Sequence, residues 1–177
     1  PETSGRVNRE TLLDISGRSR KRQLAYAREH NLVHGAPAGE CLLTEKKTAD
    51  RYYDLVTHNP SFGLLDFKLL AYGRRFRVSG TCLLTVARNE AENRILEKLA
   101  GGGSMWVLDL ADIPGPLGFA EAGASDDDLR QCAAIVARYA NKARGHACVA
   151  VKAMLGARTA VVNVTPAGDA VCAKLQV

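Results

Sequence analysis

The sequence predicts an α+β fold in which a short helical N-terminal segment precedes a mixed sheet with two packed helices. Helical patterns dominate the first third of the chain, whereas strand-like apolar runs and turn residues dominate the remainder. The pattern changes at residues 61–63, which directly follow the helix-stopping pair Asn59-Pro60. We therefore expect two parts, a helical segment over residues 1–63 and a sheet-containing domain over residues 64–177.

Three helices are predicted in the N-terminal segment, over residues 8–17, 19–30 and 46–58. Asn8 can cap the first helix and Gly17 can end it. The second helix carries three cations in its first turn, namely Arg20, Lys21 and Arg22. Cations at this end oppose the helix dipole, so a bound anion would stabilise the start of the helix.

The second part begins with a hairpin and a helix. Residues 74–78 and 81–87 form the predicted hairpin strands, and the Ser-Gly pair between them supplies the turn. The preceding apolar residues, 64–72, fit either a helix or a strand. Residues 89–100 have helical periodicity, and the three consecutive glycines that follow end this helix.

A strand, a long helix and three closing strands complete the prediction. Residues 105–110 form the strand, and Ser125 caps a helix whose apolar positions recur with a helical period. Three acids fill the first turn of this helix, where the dipole favours negative charge. The closing strands are expected over about residues 146–154, 159–165 and 170–177.

Composition and charge favour a nucleic-acid partner over a membrane. The net charge is +5, which favours polyanions, with nucleic acid first. No apolar run approaches the roughly 18 residues that a membrane span needs, and the N-terminus lacks a signal-peptide core. The five cysteines are odd in number and form no Cys-x-x-Cys pair, which is typical of a reducing compartment. A cytoplasmic location is therefore expected.

Three groups of basic residues are candidates for phosphate contacts. They are Arg18, Arg20, Lys21 and Arg22; Arg74, Arg75 and Arg77; and Arg138 with Lys142. Strand alternation puts Arg75 and Arg77 on one face of their strand. Helical spacing puts Arg138 and Lys142 on one side of their helix. The three groups either converge on one surface or form separate solvated surfaces, and the residues alone leave both interpretations open.

Cys41 is the candidate for covalent chemistry. It lies in the segment PAGECLLT, residues 37–44, where turn residues precede an apolar pair. A loop thiol beside basic residues can form a reactive thiolate, whereas a thiol buried in a strand is usually inert. Spacing alone favours the structural interpretation. The histidines are scattered and match no zinc pattern, so no metal site is expected.

Motifs in residues 12 to about 100 resemble a family of RNA-modifying enzymes. The segments LDISGRSRK, PAGECLLT and YGRRFR resemble the downstream half of bacterial tRNA 2-thiouridylase-like proteins, or tRNA (5-methylaminomethyl-2-thiouridylate)-methyltransferases. The resemblance implies adenylation of a tRNA uridine with ATP and replacement of its oxygen by sulfur. It implies that Cys41 is a sulfur carrier or a ligand of an iron–sulfur cluster. The family's Ser-Gly-Gly-x-Asp-Ser loop is missing from this sequence. An ATP-binding domain is therefore expected upstream or in another chain, and a sulfur-donor protein is a possible partner.

Residues from about 66 to 177 are similar to the NFACT RNA-binding domain. The matching segments are ARNEAEN, MWV, IPG and RYANKAR, in the same order and spacing. Together the resemblances imply that RNA is held by Arg18, Arg20, Lys21, Arg22, Arg74, Arg75, Arg77, Arg88, Asn89, Arg138, Lys142 and Arg144. The expected function is the tRNA-binding portion of a tRNA-modifying sulfurtransferase. The alternative is a non-catalytic module that binds RNA or the ribosome.

Overall fold

The chain divides into two compact units, Pro1–Cys41 and Leu42–Val177. The computed structural model describes residues 4–6, 8–16, 19–35, 45–143 and 145–177. The boundary that the sequence suggests at residues 61–63 lies within the second unit.

The first unit contains little regular structure among its described residues. A 3-10 turn spans Arg9–Thr11, and helix α1 spans Lys21–Glu29. Asn8 accepts a hydrogen bond from the backbone N–H of Glu10 at 3.0 Å, so it caps a single turn where a helix over residues 8–17 was expected. The helix predicted over residues 19–30 is confirmed as α1, but it buries none of its residues. A short exposed helix gains nothing from packing, which is the main source of helix stability in proteins.

The second unit opens with two helices. Helix α2, Lys46–His58, has the bounds predicted for it, and α3, Leu64–Leu69, resolves the ambiguous apolar segment as a helix. The backbone N–H of Gly63 donates to the Asp66 carboxylate at 2.8 Å, which satisfies a free donor at the start of α3.

The predicted hairpin follows as strands β1, Arg74–Ser79, and β2, Cys82–Val86. Gly73 leads into it with φ of +65°, and a Cβ there would lie 2.6 Å from Thr85 Cγ2. Only glycine fits this conformation beside β2 without strain.

The rest of the unit contains four strands and three α-helices. In chain order they are α4 (Glu90–Leu99), β3 (Met105–Leu110), β4 (Gly118–Glu121), α5 (Asp126–Tyr139), β5 (Val149–Leu155), β6 (Arg158–Val164) and α6 (Asp169–Leu175). A 3-10 turn, Asn141–Ala143, follows α5. Ser125 caps α5 as predicted, because its hydroxyl accepts from the backbone N–H of Asp128 at 3.2 Å.

The six strands form one sheet in the order β1-β2-β4-β3-β5-β6. Every pairing between these strands is antiparallel, so the α+β class is confirmed while the sheet is not mixed as expected. The sequence did not predict β4, because this strand has only four residues and follows closely on a Pro-Gly-Pro turn.

The prediction of a third closing strand over residues 170–177 is wrong. Those residues form α6, which buries Cys172. Only the two residues after α6 join the sheet, because Gln176 bridges Phe76 and the Val177 N–H donates to the Arg75 carbonyl at 3.0 Å. Alternating apolar residues suggested a strand, but Ala, Lys and Leu are good helix formers and an acid occupies the first turn.

Helices cover both faces of the sheet. Phe119 of β4 packs with Leu69 and Leu96 from α3 and α4. The next residue, Ala120, points to the opposite face and belongs to the larger core under α5. Trp106 is buried in that core, and the largest fully buried side chains there are Phe76, Leu84, Leu108, Ile135, Val86, Val136 and Val151. Across the described residues, no helix is both long and apolar enough to span a membrane.

Candidate nucleic-acid interface

A cleft of about 660 Å³ opens where the end of α5 approaches the start of α4. Its polar lining comes from three places in the chain, namely the start of β1, the β2–α4 junction and the turn after α5. The polar side chains that line the cleft include Arg74, Arg88, Asn89, Tyr139, Asn141 and Lys142. Two of the three basic groups recognised in the sequence therefore contribute to one concave surface.

Local contacts build the walls of the cleft. Asn89 caps α4, since its side-chain oxygen accepts from the Glu92 N–H at 3.0 Å. Asn93, one turn later, accepts from the Leu117 N–H at 3.1 Å and ties the Pro-Gly-Pro turn to the helix. Gly115 in that turn has no room for a side chain, because a Cβ would lie 2.9 Å from both Ala140 and Leu110.

Arg74 and Tyr139 form a stacked pair at the cleft. The Arg74 guanidinium carbon lies 4.8 Å from the centroid of the Tyr139 ring, within the range of a cation–π contact. Tyr139 in turn packs against buried Phe76, with ring centroids 5.7 Å apart. Burial raises the pKa of the Tyr139 hydroxyl above its ordinary value.

The charges around the cleft are of two kinds. Arg74 and Lys142 have no carboxylate partner among the residues that the structure describes. Arg88 is paired, since its Nε donates to Glu92 at 2.8 Å. Burial would raise the pKa of Glu92, but hydrogen bonds from Arg88 outweigh it and lower the pKa, so the pair stays ionised. The unpaired cations are therefore the ones available to an anion.

Two predicted phosphate ligands lie on the other face of the sheet. Arg75 and Arg77 share a face, as strand alternation predicts, but α2 covers it. Arg75 is only 2% exposed, and burial with the charge of nearby Arg51 lowers its pKa to about 10. Arg77 donates to Asp54 of α2 at 2.6 Å. Both arginines thus face the helix rather than the cleft.

The other predicted residues are not among those that line the cleft, or they lie outside the described residues. Arg138 donates to Asp169 at 3.0 Å, beside a second cleft of about 420 Å³. Arg20, Lys21 and Arg22 are exposed in the first unit. Arg18, Cys41 and Arg144 lie outside the described residues. Within the described ranges, no group of three His, Cys, Asp or Glu side chains could hold a metal ion.

Sequence reasoning missed Tyr139, Asn93 and Gly115. Tyr139 had an available signal, because an aromatic residue among cations in the segment RYANKAR is typical of nucleic-acid binding. Asn93 and Gly115 lie in the matching segments ARNEAEN and IPG, but nothing in those segments indicates their structural roles. Their importance comes from contacts with the turn and with α5, which are distant in sequence.

Comparison with known proteins identifies the second unit. The family described as "NFACT protein RNA binding domain" matches residues 73–174, which agrees with the resemblance over residues 66–177. A solved structure, the C-terminal part of the fibronectin/fibrinogen-binding protein from Streptococcus suis, has the same fold at 15% identity and a TM-score of 0.54. The similarity covers 88% of this chain and 76% of that chain.

No curated protein matches the sequence. Neither the family match nor the structural similarity supports the resemblance to tRNA 2-thiouridylases. The family match, however, spans more than half of the chain and includes every described residue that lines the cleft. The chain belongs to the family of NFACT RNA-binding domains.

Proposed function

We propose that the chain binds RNA in the cleft between α4 and the end of α5. The observation that carries this proposal is the convergence of Arg74 and Lys142 on one concave surface of the matched domain. Neither cation has a carboxylate partner within the described part of the chain. Most of the other predicted cations of this unit are buried or paired with acids. Arg74 and Lys142 are therefore the phosphate ligands that we select from the larger set of predicted cations.

The cleft suits a phosphate backbone. The Arg88 charge is balanced by Glu92, and exposed Glu90 is paired with Arg94 at 2.5 Å. The unpaired charge at the cleft is then that of Arg74 and Lys142, next to the N-terminal end of α4, whose dipole also favours anions. Asn141 adds an amide that has no hydrogen-bond partner among the described residues. Affinity for RNA should consequently fall steeply with salt.

Lys142→Gln is expected to weaken RNA binding by roughly tenfold, because one charged contact to a phosphate is lost. The slope of log K against log salt should fall by roughly 0.7 to 0.9, as for one contact. Fluorescence anisotropy with a labelled tRNA, repeated at salt concentrations from roughly 50 to 300 mM, gives both the affinity and the salt slope.

Lys152→Gln is the matched control, since Lys152 is exposed on β5 and does not line the cleft. It should leave the slope unchanged. Equal slopes for wild type and Lys142→Gln would remove Lys142 from the interface. Failure of the wild type to bind tRNA at low salt would overturn the RNA-binding proposal.

The role in tRNA thiolation is a finer proposal, supported by the resemblance of residues 12 to about 100. In it, the cleft presents tRNA to an ATP-binding domain outside this chain, and Cys41 carries sulfur. The tRNA is oriented by Arg18, Arg20, Lys21 and Arg22. An iron–sulfur cluster is the alternative role for that thiol. The alternative to this chemistry is a non-catalytic module that docks RNA or the ribosome, and the family match supports RNA binding by such a module.

Cys41→Ser separates these two possibilities. If the chain takes part in thiolation, the variant joined to its ATP-binding partner should form almost no 2-thiouridine, measured by mass spectrometry of tRNA digests. Cys148→Ser, which replaces an exposed cysteine of the second unit, is the control. Unchanged thiouridine in the Cys41 variant would remove Cys41 from the mechanism. RNA affinity should be the same in both variants.

A further inference from the structure

The arrangement of Arg74 and Tyr139 selects among forms of RNA. The Arg74 guanidinium carbon lies over the Tyr139 ring, 4.8 Å from its centroid, and both side chains line the cleft. A ligand in the cleft therefore meets a guanidinium and an aromatic ring side by side. Guanidinium planes and aromatic rings are the surfaces on which proteins stack unpaired RNA bases.

The hydrophobic core supports the Arg74–Tyr139 pair. Tyr139 packs against Phe76, which is fully buried in the core two residues along the same strand from Arg74. Arg74 and Tyr139 come from different elements, β1 and α5, and both are anchored by the core. The stacking surface is thus fixed before any ligand binds, which reduces the ordering cost of binding.

The dimensions of the cleft also favour a single nucleotide over a helix. A concave volume of about 660 Å³ is typical of sites for small molecules. The bases inside an RNA duplex are stacked on one another and present only their edges, so they cannot reach the Arg74 face. Lys142 and Asn141 line the same cleft and offer a phosphate contact and an amide for a base edge.

We propose that the cleft captures an unpaired nucleotide, whose base stacks on the Arg74–Tyr139 pair while Lys142 contacts its phosphate. This inference rests on the proposed RNA binding and adds the class of RNA, namely single-stranded or loop segments. Duplex RNA would contact only the charges at the rim. The chain should therefore bind an unpaired strand more tightly than a duplex of the same sequence.

Arg74→Lys tests the stacking without removing charge. The ammonium of lysine can still contact a phosphate, but it lacks the plane on which a base stacks. We expect the affinity for an unpaired oligoribonucleotide to fall by roughly tenfold, and the affinity for the matched blunt duplex to stay unchanged. A 2-aminopurine base in the unpaired strand should show a fluorescence change on binding that the variant reduces.

Arg158→Lys is the matched control, because Arg158 lies over Trp106 at 5.2 Å, outside the cleft. It should leave both affinities unchanged, and thermal unfolding should show that both variants fold. Equal loss for strand and duplex in Arg74→Lys, or a wild type that prefers the duplex, would overturn the nucleotide proposal while RNA binding stands. A wild type that binds neither RNA at low salt would overturn RNA binding itself.

Discussion

The double variant Arg74→Glu, Lys142→Glu is expected to lose RNA affinity by roughly a hundredfold, because two charged contacts are removed at once. The introduced carboxylates would also repel phosphate, so this is a lower bound on the loss. Anisotropy titrations with unpaired RNA at low salt measure it. The two positions lie at the start of β1 and in the turn after α5, and neither has an acidic partner among the residues that the structure describes. The fold should therefore persist.

A control with the same total charge separates the cleft from the general basicity of the chain. Arg130→Glu, Lys152→Glu changes net charge by the same amount at exposed positions on α5 and β5, away from the cleft. This control should retain most of the affinity at physiological salt, where distant charges are screened. Similar losses in both double variants would mean that RNA binds by net charge and that the cleft is not the site.

Asp54→Ala is expected to destabilise the second unit by about 3–5 kcal/mol, the usual cost of removing one partner of a buried ion pair. The Asp54 carboxylate accepts two hydrogen bonds from Arg77, at 2.6 and 3.2 Å, and lies 3.2 Å from the His58 ring. Its loss would leave Arg77 uncompensated beside Arg75, whose guanidinium is already buried with one nitrogen unpaired among the described residues. Urea unfolding followed by circular dichroism measures the change.

Asp50→Ala is the control on the same helix. Asp50 is paired with Lys46 at 2.7 Å, but both side chains are largely exposed. Exposed pairs of this kind contribute about 0.3–0.5 kcal/mol, so the control should unfold almost as the wild type does. A loss in Asp54→Ala as small as in Asp50→Ala would mean that Asp54 and Arg77 are not desolvated. The paired replacement Asp54→Leu, Arg77→Leu should recover part of the lost stability, because Arg77 is no longer left without its carboxylate, whereas Arg75 stays buried and charged.

Elements with local signals were predictable from the sequence. The bounds of α2 follow from its periodicity and the Asn-Pro stop, and α4 and α5 begin where Asn89 and Ser125 cap them. β4 and α6 were not predictable, for different reasons. β4 exists because β2 and β3 lie on either side of it, and α6 has an alternating apolar pattern that fits a strand equally well.

The types of residue at the candidate site were predictable from the sequence. Which of the predicted residues line the cleft was not. Arg74, Arg88, Asn89 and Lys142 were selected from sequence, and the structure gathers them in one cleft. Arg75 differs from Arg74 by one position, yet it is buried because α2 covers its face of the sheet. No local pattern shows where a distant helix will pack, so sequence alone could not separate the exposed cation from the buried one.

Strand β1 thus places arginines on both faces of the sheet, because its side chains alternate. Arg74 lines the cleft, whereas Arg75 and Arg77 lie under α2. The hairpin turn fixes the register of β1 against β2, and side chains alternate with a period of two. A one-residue slip at this turn would therefore move Arg75 and Arg77 to the α5 face of the sheet and Arg74 to the α2 face. The basic lining of the cleft consequently depends on strand register as strictly as on the identity of the arginines.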